Sequence, residues 1–432
     1  MHDKTRRTVC RIAFVMLSVL PTLGVAGFAV YRATPLFAAR ERQAWEQALE
    51  NRSGLRAYVG RVSYPRGGVT LLSGVVLVDP DSQQRVIAAR LIELARNADS
   101  TTVVISQPEV QPGQFLRLWE VFHDRVVRGG SIDKPVQIEA HEATLHESAQ
   151  ALTLSRLACS FESSADTIHA AFDFEVAGAE MATPAHLEML RRRQPANLST
   201  AWELSTGPAS LPCSLFARYF APLRGLGTDC RFQGMVSAEQ SASGWTGHLS
   251  GMFDKVNLER MVEPFPHKVR GAGSISIGEL TFRDDRISQA TGRLDAKDGI
   301  ISQSLIAEFS RAFALDAASR AAAPGRDLLE YSRLSVGFQL ENGGLRILGL
   351  CDGDTPGVLL ADLQGPLVIE TQSAAVPAMA LAQALSPDSG LQVPATAETD
   401  LLLRSLPLPA KSSDTERTAR QPNYAPLRLR IE

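Results

Sequence analysis

The sequence has no motif that announces chemistry. There is no Gly-x-Ser-x-Gly elbow, no Walker loop, no Cys-x-x-Cys pair and no cysteine placed beside a plausible base. Aromatics are scarce at 6%, and 44 Lys and Arg against 47 Asp and Glu leave a net charge of only -3. Without a basic field or a dense aromatic and basic stretch, the chain offers neither a phosphate-tracking surface nor a base-stacking platform, which argues against a nucleic-acid partner. The eight histidines are dispersed. His141-Glu142-Ala143-Thr144-Leu145-His146 sets its histidines five apart where a zinc-protease helix needs four, and on a strand they would point to opposite faces. Asp352-Gly353-Asp354 lacks the other oxygen ligands of a calcium loop, Gly271-Ala272-Gly273 precedes a strand instead of opening a helix, and Asp284-Asp285 sits in a hairpin turn. No metal or cofactor is expected, and the chain reads as a non-enzyme.

What is there begins at the amino terminus. Ile12 to Tyr31 carries no charge and follows Lys4, Arg6, Arg7 and Arg11. About 20 residues at 1.5 Å each match a hydrocarbon core of about 30 Å. The basic flank leaves residues 1–11 as a cytoplasmic tail and sends the rest across. A signal peptide cleaved after Gly24-Val25-Ala26 is the competing reading, and a buried core helix a third. The apolar run continues through Phe28, Val30 and Tyr31, past the length of a signal core, which favours an uncleaved transmembrane helix over 12–31.

The five cysteines are scattered. Cys213 and Cys230 are the closest in sequence and could join in an oxidising compartment. A large core needs no staple, so buried unpaired thiols are expected.

Beyond the apolar run, 36–52 reads as a charged linker helix ending near Ser53-Gly54. From residue 54 the period changes to two, the mark of strands. In 69–78, Val69, Leu71, Val75 and Leu77 alternate against Leu72, Val76 and Val78, so both faces are apolar. In 167–176, Ile168, Ala170, Phe172, Phe174 and Val176 alternate against His169, Ala171, Asp173 and Glu175. Helices are expected at 114–127, 184–193, 211–223, 302–314 and 376–385. The fold class is mainly β with short packing helices: an extended antiparallel sheet over 54–385, dividing into two halves near 180–196. A Pro, Ser and Thr-rich tail, 386–432, ends in a terminal strand over 424–431 that could pair with a partner.

About sixteen strands apolar on both faces exceed what a few short helices can cover. A sheet curled into a trough would offer an apolar lining on the order of 75 Å long for acyl chains, at about 4.8 Å per strand. Val75, Leu77, Phe172, Phe174, Trp202, Val336 and Phe338 are the lining candidates, each also readable as plain core.

Gly68-Val69-Thr70-Leu71-Leu72-Ser73-Gly74-Val75-Val76-Leu77-Val78-Asp79, then Val103-Val104-Ile105-Ser106-Gln107-Pro108-Glu109-Val110, behind one membrane helix, resembles the AsmA-like proteins of the bacterial envelope. So do Gly247-His248-Leu249-Ser250-Gly251-Met252-Phe253, Gly273-Ser274-Ile275-Ser276-Ile277, Gly292-Arg293-Leu294 and Gly343-Gly344-Leu345-Arg346-Ile347. The resemblance covers roughly 55–371 and rests on patterned glycine and aliphatic positions. It implies a single-pass inner-membrane anchor, a periplasmic β-groove, phospholipid or another acyl lipid as ligand, and a role in phospholipid transport or envelope maintenance. It brings no catalytic residue. The alternative is an assembly scaffold with a self-packed core acting through protein partners.

Overall fold

The computed structural model describes residues 12–124, 134–147, 150–177, 184–194, 198–217, 221–284, 286–321, 327–351, 357–371, 374–386 and 405. The basic tail, the 352–354 turn and the 424–431 strand lie outside the described residues.

Helix α1, Ile12–Arg32, contains an 18-residue stretch that is not buried against the rest of the chain, and it is long and apolar enough to cross a membrane. Thr34 breaks the helical path with ψ 147 and caps α2 (Pro35–Ser53), its hydroxyl accepting from the Phe37 N–H at 3.3 Å. Gly54, at φ 73, ends α2 in the left-handed conformation that glycine tolerates best. Trp45 and Leu49 of α2 pack on the first strands of the sheet.

All 22 strands among the described residues belong to one sheet. The antiparallel meander β1 (Arg56–Arg66), β2 (Val69–Val78) and β3 (Arg85–Arg96) opens it. β4 (Thr101–Ser106) and β5 (Glu109–Val110) both pair with β3. After α3 (Phe115–Phe122), β6 (Val136–Glu147) returns parallel to both. The sheet is therefore mixed, not purely antiparallel as expected; the connection carrying α3 is long enough for the crossover that a parallel neighbour requires.

β7 (Gln150–Ser163), β8 (Thr167–Val176), β9 (Ala185–Arg192) and β10 (Ser199–Ser205) continue antiparallel. β11 (Leu211–Pro212) and β10 share β12 (Arg231–Ser241), which pairs with β13 (Gly244–Asn257). Then come α4 (Leu258–Val262), β14 (Val269–Arg270), β15 (Ala272–Arg283), β16 (Arg286–Ser302), α5 (Gln303–Phe313) and β17 (Leu315–Ala317). β18 (Leu328–Glu341), β19 (Gly344–Gly349), β20 (Val358–Asp362), β21 (Gly365–Glu370), β22 (Val376–Pro377) and α6 (Met379–Leu385) complete the fold.

Two expected helices are absent among the described residues. Residues 185–192 form β9, bonded on both sides, and Ala185, Leu187 and Met189 alternate inward. Pairing with two neighbours overrides the helical propensity of Leu, Met and Arg. Residues 211–226 hold a two-residue strand and 3-10 turns at Cys213–Leu215 and Ala221–Leu226. A Cys213–Cys230 disulfide, Cα atoms 5.4 Å apart, fixes this segment, so the expected unpaired thiols at these positions are corrected. Cys159 does stay free and buried, and burial pushes its thiol up to about 12. We expect Cys159 to resist alkylation at neutral pH in the folded protein and to label only on unfolding, read by mass spectrometry of the adducts.

A crease runs across the first strands. The ladders skip a pair at Gly60 and Gly74 between β1 and β2, at Gly74 and Arg90 between β2 and β3, and at Glu142 and Ser155 between β6 and β7. Gln107 fills the gap between β4 and β5, its N–H donating to the His141 carbonyl and its amide to Glu142. Gly74, Gln107 and Glu142 have φ values of +62, +50 and +55. A left-handed residue reverses the pleat, so the inward set changes parity at this line. Leu72 therefore shares one core with Val75 and Leu77, against the expected alternation. Along β7 the inward residues change from Leu152 and Leu154 to Cys159 and Phe161. A crease parallel to the ladder direction bends β1, β2, β3, β6 and β7 along one line and curls this part of the sheet.

Candidate functional site

The inner face of the curled sheet is the apolar surface on which every core cluster sits. On β12 to β19 it forms cross-strand rows. Phe253 faces Ile275, Ile275 faces Leu294 and Leu294 faces Val336; a second row joins Val236, Leu249 and Leu280. Phe253 is buried, but Ile275, Leu294, Val336, Val236, Leu249 and Leu280 pack on the core while keeping part of their surface open. Val236 also packs against the neighbouring cluster of Leu154, Leu204 and Leu211, so the apolar lining passes without a break from one part of the sheet to the next. Helices α5 and α6 supply Leu305, Ile306, Phe313, Ala382 and Ala384 to the same core and cover one end of it.

Glycines set the depth of this face. Gly247, Gly292 and Gly299 lie directly opposite Phe282, Phe338 and Tyr331. A Cβ on Gly292 would meet Phe338 Cζ and the Ser276 carbonyl oxygen, both at 2.5 Å. Each ring lies across the strand over the glycine that leaves room for it, a pairing that fixes register.

The seven lining candidates do not converge. Val75 is buried and Leu77 half-buried in the cluster under α2. Phe172 lies under α3, its ring 5.3 Å from Phe122 and 5.5 Å from Phe161. The Trp202 ring packs at a tilt against Trp119 of the same helix, centroids 5.1 Å apart. Phe174 belongs to the cluster around Leu154 and Val176, and Val336 and Phe338 to the large core farther along. Leu249, Leu280 and Leu294, which sequence reading passed over, sit on the same half-open rows as Val336; glycines interrupt their strands and blur the period of two.

The outer face carries the polar groups. His169 pairs with Glu188 and His186 with Asp173, both at 2.7 Å. Beside them an open depression of about 340 Å3 is lined by Glu188, Glu203, Ser237, Glu239 and His248. Ser237 and His248 are directly opposite, yet among the described residues no hydrogen bond links them, and His248 Nδ1 lies 3.2 Å from the Thr281 hydroxyl. The side chains of Glu188 and Glu239 are 42% and 44% exposed, so these two acids stay solvated. The strands here pair continuously, β10 with β12 and β12 with β13. Among the described residues no group of three His, Cys, Asp or Glu could hold a metal ion.

The fold and its surfaces thus define a mainly β protein built on one curled mixed sheet with an apolar inner face, behind an amino-terminal helix able to cross a membrane. The chain matches no protein-family model and no curated protein.

Proposed function

We propose that this protein is a non-enzymatic, membrane-anchored envelope protein of AsmA-like type whose curled sheet holds lipid acyl chains and serves phospholipid transport or envelope maintenance. The observation that carries the reading is the half-open row of Ile275, Leu294 and Val336 beside Val236, Leu249 and Leu280. Apolar side chains that stay partly open to water among the described residues lose free energy there, about 25 cal/mol per Å2, and an acyl chain laid along them recovers it. In this reading α1 is a single-pass inner-membrane anchor, residues 1–11 are cytoplasmic and the sheet is periplasmic. The Cys213–Cys230 bond supports that side of the membrane, since disulfides persist in oxidising compartments. An envelope partner would meet the chain at 424–431.

One observation favours the scaffold alternative: α3 closes over Phe172 and Trp202, so that part of the inner face is self-packed. The two readings separate in an acyl-chain crosslinking experiment. With the full chain in nanodiscs containing a phospholipid that carries a photoreactive group at its acyl terminus, we expect adducts on Leu249, Leu294 and Val336. A Leu294→Glu variant with unchanged circular dichroism should lose most of them. Adducts confined to residues 12–37 would defeat the groove and leave the scaffold.

A further inference from the structure

The strongest surface outside the inner face lies where the chain leaves α1. Residues 32–96 carry ten arginines and no lysine against six acids, a local excess of four positive charges in a chain whose net charge is -3. Three arginine-over-ring contacts fall in or beside this stretch. Arg32 lies 5.1 Å from the Phe28 ring centroid and 5.7 Å from that of Phe37, and Arg96 lies 5.6 Å from that of Trp45.

The hydrogen bonds show which end of the sheet this is. Trp45 Nε1 donates to the Tyr64 hydroxyl at 3.1 Å, while Glu46, one residue further along α2, accepts the Val59 N–H at 2.9 Å. Ser53, at the end of α2, bonds Leu55 at the start of β1. Helix α2 therefore runs antiparallel to β1, and the β1–β2 turn lies beside the half of α2 that is nearer to α1. The Arg96 N–H donates to the Gly68 carbonyl at 3.0 Å, bringing the end of β3 to the same turn. Trp45 is ten residues from Pro35, about 15 Å along the helix. Arg32, Arg40, Arg42, Arg66 and Arg96 are exposed at this end, five positive charges against three acids, and Tyr64 is 50% exposed. The acids among them are Glu41, Glu46, held by β1, and Glu93, 3.8 Å from Arg66.

We propose that this rim, formed by the first half of α2 and the β1–β2 turn, docks on an anionic phospholipid surface. The charge is of the complementary sign, and its carrier is arginine throughout, whose planar fork matches phosphate oxygens. Trp45 and Tyr64 have the amphipathic rings that settle at headgroup level. The tether is short, so α1 holds the rim within reach of the surface it has just crossed. The inference rests on α1 spanning the bilayer and is independent of what the inner face binds.

Hydrogen–deuterium exchange of the full chain tests it in nanodiscs of phosphatidylcholine and in nanodiscs of equal parts phosphatidylcholine and phosphatidylglycerol. Amides of 56–66 should exchange about thirtyfold more slowly in the anionic discs, the protection expected from a pair of arginines held near such a surface. High salt, or Arg42→Glu combined with Arg66→Glu, should abolish the difference, with β18 peptides unchanged as the check on folding. Equal exchange in the two discs at low salt would overturn the proposal, as would protection that survives both substitutions. If the variant loses β18 protection, the wild-type comparison across lipid and salt decides alone. A chain that fails to incorporate into discs would instead defeat the membrane-spanning reading.

Discussion

Gly292→Ala is expected to destabilise the sheet by about 3 kcal/mol, because a single methyl group must displace both an aromatic ring and a backbone carbonyl. The added Cβ would sit 2.5 Å from Phe338 Cζ and 2.5 Å from the Ser276 oxygen. The ring could yield by rotating, but the carbonyl belongs to β15, which is bonded to β16 along its length. The two contacts can be separated. Phe338→Leu removes the ring obstacle and costs about 1 kcal/mol or more on its own for the lost packing. In the double variant the loss should be smaller than the sum of the two single losses, since the carbonyl overlap alone remains. Thermal unfolding followed by circular dichroism reads this as a midpoint lower by about 5 °C for Gly292→Ala. A Gly292→Ala protein with the wild-type midpoint would mean that the ring does not lie over the glycine, and that register at β15, β16 and β18 is not held by this pairing.

The same glycines explain how much of the fold was legible in the sequence. β8 keeps one parity from Ile168 to Val176, and its reading from alternation stands. β2 does not, because Gly74 reverses the pleat and carries Leu72 to the face of Val75. A period of two cannot reveal a residue that changes its phase, least of all when both faces are apolar. The non-glycine positions of the crease, Gln107 and Glu142, give no local signal, since their left-handed conformations are stabilised by a cross-strand bond between residues 35 apart. The parallel return of β6 is likewise a tertiary choice. Helix α5 was legible because Ser302 caps it, accepting from the Leu305 N–H at 3.4 Å, and Leu305, Phe309 and Phe313 recur at helical spacing. Of the lining candidates, Val336 falls on the half-open row, whereas Phe172 and Trp202 lie under α3, whose crossing above them no spacing in β8 or β10 could disclose.

Breaking the Cys213–Cys230 bond is expected to cost about 3 kcal/mol, the loop-closure value for residues 17 apart. Loop closure is only part of the argument. The pair is 1% and 0% exposed, and the Cys213 N–H donates to the Cys230 carbonyl at 2.9 Å, so the bond sits inside the large core where β11 meets β12. Between the two cysteines the described chain has only 3-10 turns, and Arg224 Nε donating to the Ala217 carbonyl is one of few bonds within it. With little regular structure of its own, this segment depends on its covalent closure more than any strand does. Cys213→Ala with Cys230→Ala should therefore lower the overall midpoint and, more sharply, open 211–231 to proteolysis while peptides of β16 and β18 stay protected. Reductant should reproduce both effects in the wild type and neither in the double variant. If the double variant resists protease as well as the wild type does, the segment is held by core packing of Leu211 and Phe232 and the disulfide is incidental to it. If β16 and β18 lose protection together with 211–231, the segment is an integral part of one cooperative sheet.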